Sequence, residues 1–147
     1  MSANTVKPIF SVAGVSSGGR GGHSETTDGV LKVNLSMPEK GSIPAKAGAV
    51  TPEHLFAAGY AACFGGAVEL VGKTHKKDAS KTKTTCNVAF GPREGGGYGV
   101  NVKMHIEDHS IPTAELKALV HEAHEKICPY SHATRGNVDI AFEVVGA

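Results

Sequence analysis

Polar and apolar positions divide the chain into seven segments. Residues 9–15 form an opening apolar stretch, followed by a glycine-rich loop at residues 18–22. Over residues 30–36, Leu31, Val33 and Leu35 alternate with Lys32, Asn34 and Ser36, the period-two pattern of a half-buried strand. Residues 38–50 are rich in Pro, Gly, Lys and Ala and read as a connection. Thr51 and Pro52 then supply a helix cap and a first-turn proline, with Glu53 set to meet the positive end of the dipole. The helix predicted from here to about Lys73 is apolar nearly all round, which implies enclosure at the centre of the fold. Thr84, Cys86, Val88 and Phe90 share one strand face, and beyond the turn at residues 91–97 so do Tyr98, Val100, Val102, Met104 and Ile106, giving a hairpin. Leu116, Leu119, Val120, Ala123 and Ile127 recur at helical spacing across residues 113–127, and Pro129 stops that helix at Cys128. In a last strand, residues 138–145, Val138, Ile140, Phe142 and Val144 alternate with Asp139, Ala141 and Glu143. The order ββαββαβ lacks regular βαβ alternation and predicts an α+β domain with antiparallel sheet around a central buried helix.

Length and composition narrow the class. At 147 residues the chain buries about two-thirds of its extended surface, enough for a single domain over residues 1–147 without disulfide or metal staples. Tryptophan is absent and aromatics are 5%, so the core is thin in large side chains and a partner subunit is expected to complete it. The net charge is +1, and the densest basic stretch, residues 73–83, mixes Lys with His, Asp and Ser; this excludes a phosphate-tracking face and argues against nucleic acid. The apolar run at residues 55–71 carries Glu69 and is dominated by Ala and Gly, which favours a protein core over a membrane. The first nine residues lack the apolar and basic regions of a secretory signal; with three cysteines, that predicts a reducing, cytoplasmic setting.

Several motifs fail on spacing. Gly72-Lys73-Thr74 lacks the upstream glycine of a phosphate loop, because Ala67 stands there. His121-Glu122-Ala123-His124 is one residue short of a zinc-protease pair, and the two histidines read as a surface pair; a ligand set of His121, His124 and Cys128 is kept only as a metal-analysis alternative. Ser16, Ser17 and Ser131 have no nucleophile-elbow context. Cys86, on an apolar strand face, reads as an inert buried thiol. Cys63, within the enclosed helix, and Cys128, at a helix terminus, lie in unlike settings. They read either as two structural cysteines or as a pair in which one thiolate attacks an O–O bond and the other condenses with the sulfenic acid. Cys63 lies too far along its helix to gain from the dipole, so a low pKa needs another cation. Arg20, in Gly18-Gly19-Arg20-Gly21-Gly22, reads either as part of a flexible surface loop or as that cation, with Glu53 able to hold it as a bidentate pair.

Three stretches carry a resemblance that spans the chain in order and length: Gly18-Gly19-Arg20, Thr51-Pro52-Glu53-His54-Leu55-Phe56-Ala57-Ala58-Gly59-Tyr60-Ala61-Ala62-Cys63-Phe64, and Cys128-Pro129-Tyr130-Ser131-His132-Ala133-Thr134-Arg135-Gly136-Asn137. They resemble the organic hydroperoxide resistance family, a branch of the OsmC-like superfamily. The resemblance implies the OsmC-like fold, an intertwined homodimer, and a thiol-dependent peroxidase that prefers organic over inorganic peroxides and needs no cofactor or metal. It also implies recycling by dihydrolipoamide or a lipoylated protein. By position, Cys63 matches the peroxidatic cysteine, Cys128 the resolving cysteine, Arg20 the activating arginine and Glu53 its carboxylate partner. His54 stands where Gln is usual, His132 where Asn is usual, and Gly21-Gly22 replaces a more polar pair.

Helix geometry adds an expectation of its own. Glu53 and Cys63 lie ten residues, roughly 15 Å, apart along one helix, too far for a single Arg20 to touch both within one chain. Ala57, Ala61 and Gly65, with Ala58, Ala62 and Gly66, form two rows of small residues that would let a second helix approach; two helices antiparallel about a twofold would bring one subunit's Glu53 to the other's Cys63. Phe10, Phe64, Ile111 and Tyr130 are the candidates for an apolar entrance favouring alkyl tails. The alternative from another class is a noncatalytic redox sensor or small-lipid binder on the same fold.

Overall fold

The computed structural model describes residues 5–39, 43 and 46–147. They gather into two compact units, residues 1–52 and 53–147.

The first unit is a three-stranded antiparallel sheet in the order β1 (Gly14–Ser17), β2 (His23–Thr26), β3 (Lys32–Asn34). The opening strand begins later than the apolar stretch suggests. β2 is absent from the sequence reading because His23, Ser24, Glu25 and Thr26 are all polar and give no alternation. Between β1 and β2 the glycine-rich loop closes as a 3-10 turn, Gly19–Gly21, with Arg20 at its centre. Gly18 is left-handed at φ +76°, and a Cβ on Gly22 would lie 1.9 Å from the Ser17 carbonyl oxygen, so neither tolerates a side chain. Val50 N–H donates to the Asn34 carbonyl at 2.9 Å and Ser36 N–H to that of Val50 at 3.1 Å, tying the end of the predicted connection back to β3. Among the described residues of this unit the buried apolar side chains are Leu35 and Ala49; Val15, Val30 and Leu31 are exposed. Residues 40–42, 44 and 45 of the predicted connection lie outside the described residues.

The second unit holds the core. Helix α1 (Pro52–Thr74) runs unbroken and contributes Tyr60, Phe64, Ala67, Val68 and Val71 to one apolar cluster with Val102, Met104, Ile106, Leu116, Leu119 and Val120. Each such side chain contributes about 1.5–3 kcal/mol when fully buried. By length and composition α1 could also cross a bilayer; here its aromatic and Val side faces this core. Enclosure is one-sided, because Ala58, Ala62, Gly66 and Leu70, at four-residue spacing, stay exposed. The predicted hairpin is β4 (Lys83–Pro92) and β5 (Tyr98–Asp108), antiparallel with Thr84 opposite Ile106 and Phe90 opposite Val100.

The last strand, β6 (Ile140–Gly146), departs from the expected antiparallel pattern: it lies parallel to β5, with Val102 opposite Ile140 and Met104 opposite Phe142. The reason is the connection, which contains helices and so returns the chain in the same direction. That connection begins with α2 (Thr113–Glu122), whose Leu116, Leu119 and Val120 are buried as the spacing requires. It continues as a π-helical turn, Ala123–Ile127, in which the Cys128 N–H reaches the Ala123 carbonyl at 2.9 Å. The helix ends at Cys128, as Pro129 dictates. Pro129 then occupies the first position of a short helix absent from the sequence reading, α3 (Pro129–Thr134).

Candidate functional site

Two of the four predicted site residues meet in the second unit. Cys63, in the middle of α1, and Cys128, at the junction of the π turn and α3, place their sulfurs 3.6 Å apart. Both are free thiols, Cys128 fully buried and Cys63 partly exposed. A disulfide needs the sulfurs at about 2.05 Å, so closure requires only a small movement. Burial raises the Cys63 thiol above its ordinary 9.0; the Tyr130 backbone N–H, aimed at the sulfur, opposes this, while Cys128 adds to the rise. The net direction is upward. A reactive thiolate here therefore needs a positive charge beyond these groups. The other two residues are half-buried, Arg20 in the 3-10 turn of the first unit and Glu53 in the first turn of α1.

Cys86 lies on β4, half-buried, with its thiol pushed up by burial to about 11. The strand pattern predicts a buried thiol at this position, and Cys86 is partly covered. Among the entrance candidates, Phe64 is fully buried and Ile111 is 4% exposed, so both are core residues and not an entrance. Tyr130 is 42% exposed; its ring stacks on Phe56 at 6.4 Å and lies over Gly59, one helical turn before Cys63. Phe10 is exposed in the first unit.

Beside the cysteines runs a chain of polar side chains that spacing alone does not reveal. The Tyr60 hydroxyl lies 3.0 Å from Ser131 Oγ and 3.1 Å from Thr134 Oγ1, and Ser131 Oγ lies 2.9 Å from His124 Nδ1. Tyr60 and Ser131 are completely buried. Burial, opposed by these hydrogen bonds, raises the Tyr60 hydroxyl, and burial lowers His124. The ring of His124 is only 15% exposed and lies edge-on to Phe142 at 5.0 Å, which corrects its reading as a surface histidine; His121 is exposed. No group of three or more metal-ligating side chains comes together among the described residues. The sequence signal that was available is the recurrence of Ser131 and Thr134 on one face of a turn following Pro129.

This α+β fold with a cysteine pair at its buried helix places the chain among known proteins: it belongs to the OsmC-like family, whose description matches residues 45–143. Within that family it is similar to the organic hydroperoxide resistance protein OhrA of Bacillus subtilis, 39% identical over 94% of this chain and 97% of the relative. It is also similar to the crystal structure of an organic hydroperoxide resistance protein from Legionella pneumophila, with a TM-score of 0.83 and 39% identity over 96% and 99% of the two chains. The structure of OhrB of Bacillus subtilis gives 0.83 and 38% over 94% and 99%.

Proposed function

We propose that this chain is a thiol-dependent peroxidase that reduces organic hydroperoxides to alcohols. The observation that carries the reading is the 3.6 Å contact between the Cys63 and Cys128 sulfurs, in a chain whose relatives are named for organic hydroperoxide resistance. The Cys63 thiolate attacks the distal peroxide oxygen, the O–O bond breaks, and the alkoxide leaves as alcohol after taking a proton. The Cys63 sulfenic acid then condenses with the Cys128 thiol, releasing water and forming the disulfide. A dihydrolipoyl dithiol, from dihydrolipoamide or a lipoylated protein, reduces that bond and is itself oxidised to the cyclic disulfide. Arg20 supplies the positive charge that Cys63 lacks from its neighbours in the second unit, and the Glu53 that holds the guanidinium comes from the other subunit of a dimer.

The working form is a cytoplasmic homodimer in which residues 1–147 act as one domain. Two features support it. The exposed row Ala58, Ala62, Gly66 and Leu70 offers a second copy a close helix approach, and the first unit's sheet has little apolar burial of its own.

Stopped-flow oxidation by cumene hydroperoxide and by hydrogen peroxide, followed by turnover with dihydrolipoamide, tests the reading. Faster reaction with the organic peroxide, total loss in Cys63→Ser, and a single oxidation without turnover in Cys128→Ser are expected. A Cys63→Ser protein that still consumes peroxide overturns the mechanism. A parent protein whose pair forms only under general thiol oxidants, and not with either peroxide, fits the sensor alternative instead.

A further inference from the structure

α3 carries two groups that act on the Cys63 sulfur. Cys128 sits at its N-cap, and Tyr130 contributes the backbone N–H. α3 is six residues long, too short for its own backbone ladder to set its place, which depends on what it bonds outside itself. Its place is fixed from two sides by the polar chain. Ser131 and Thr134 bind Tyr60 of α1, and Ser131 binds His124 of the π turn. Thr134 Oγ1 also donates to the Tyr130 carbonyl at 2.8 Å, carrying the chain to the residue whose N–H meets Cys63. Arg135 Nη2 donates to the His124 carbonyl at 2.6 Å, holding the other side of the π turn.

Hydrogen counting gives the chain a direction. With Nδ1 of His124 unprotonated, Ser131 donates to it, Tyr60 donates to Ser131 or Thr134, and Thr134 donates to the Tyr130 carbonyl. Every hydroxyl proton then has an acceptor. Removing the Ser131 hydroxyl leaves His124 Nδ1 without its donor, and removing the Tyr60 hydroxyl removes the hydrogen bonds from α1 to α3, so either change frees α3 to shift.

We propose that the chain His124–Ser131–Tyr60–Thr134 is a positioning device for the resolving cysteine, holding the Cys128 sulfur against Cys63 so that disulfide closure is fast. His124, Ser131, Tyr60 and Thr134 are positioning residues and touch no reacting atom. The inference rests on the two-cysteine reading above but not on peroxide as the oxidant.

Ellman's reagent separates the two steps without peroxide. The Cys63 thiolate displaces one thionitrobenzoate and forms a mixed disulfide; the Cys128 thiolate then attacks the Cys63 sulfur, the S–S bond forms, and the second thionitrobenzoate leaves. The two absorbance phases report attack at Cys63 and closure by Cys128, and peptide mapping assigns the bridge. In Tyr60→Phe, which keeps the ring, and in Ser131→Ala, the second phase should slow about tenfold while the first stays within twofold. His124→Asn, which retains an acceptor near the Nδ1 position, should close at close to the parent rate, whereas His124→Ala should slow like Ser131→Ala. Closure at the parent rate in both Tyr60→Phe and Ser131→Ala overturns the proposal. So does equal slowing of both phases, which marks a general loss of structure. Should Ser131→Ala not fold, the isosteric Tyr60→Phe decides alone. Failure of the parent protein to react with organic peroxides, with its two Ellman phases intact, would overturn the peroxidase reading and leave the positioning role standing.

Discussion

Replacing Arg20 by alanine tests whether Cys63 is activated from outside the second unit. Burial and Cys128 outweigh the Tyr130 N–H and push the Cys63 thiol up from its ordinary 9.0, so activation has to come from another group. A thiol at 9.0 is about 1% ionised at pH 7, and one above it less. Reactive protein thiols ionise at about 3.5–7.5 and are therefore at least about a quarter ionised at that pH. If Arg20 is the activating charge, Arg20→Ala should cut the thiolate fraction at pH 7 by about 25-fold or more, equivalent to roughly 2 kcal/mol. The rate with a disulfide reagent falls less. A more basic thiolate is a better nucleophile, and a Brønsted slope of about 0.4–0.5 over about 1.5 units returns roughly fivefold. The ionised fraction is thus the sharper readout. It is followed by thiolate absorbance near 240 nm in a Cys86→Ala, Cys128→Ser background, where Cys63 is the only thiol left of the three. The parent background should titrate below pH 7.5 and the Arg20→Ala protein above 9. Equal midpoints in the two proteins refute Arg20 as the source of activation.

Two further outcomes follow from other parts of the molecule. Asp108 is 3% exposed; burial pushes its carboxyl up, but hydrogen bonds from the Ser110 hydroxyl, the Ser110 N–H and the Thr82 hydroxyl prevail and hold it below the usual 3.8. Because the folded-state value is depressed, the stabilisation is present above the unfolded value and lost as pH falls through the folded one. Asp108→Asn should therefore cost about 1–3 kcal/mol in urea unfolding at pH 7, and the gap to the parent should narrow below pH 4; a gap that widens in acid contradicts the assignment. Ala62 lies in the exposed row of α1, so Ala62→Arg should leave the fold of one chain intact but separate the proposed dimer in sedimentation velocity. An unchanged sedimentation coefficient places the subunit contact elsewhere.

What the sequence made legible follows from what periodicity encodes. α1, α2, the β4–β5 hairpin and β6 all carry apolar residues at helix or strand spacing, and Val102, Met104, Ile106, Leu116, Leu119 and Val120 are buried as those spacings require. β2 is polar on both faces and α3 is too short to show a period, so neither leaves a pattern. The parallel pairing of β6 depends on the path of the intervening helices and not on the strand's own residues. Cys63 and Cys128 stand out in sequence because thiols are few and one of them is stopped by a proline. Tyr60 and Ser131 do not stand out, since a hydrogen bond between residues 71 positions apart has no local spacing.

That turn has a further consequence for how the chain can vary. Its hydrogen bond from Cys128 to Ala123 spans five residues where an α-helix spans four, so the segment holds one residue more than a regular helix of the same bonding would. Deleting any single residue between positions 123 and 127 would restore the regular ladder. The Cys128 N–H would then bond the Ala123 carbonyl from four residues on, so the cost of the deletion falls on the residues in between, whose directions around the helix axis change. Glu125 and Lys126, both exposed, are free to vary, whereas Ala123 must stay small enough for the core and His124 must keep its acceptor toward Ser131. The direction from which His124 meets Ser131 is thereby set by a residue count in one helical turn.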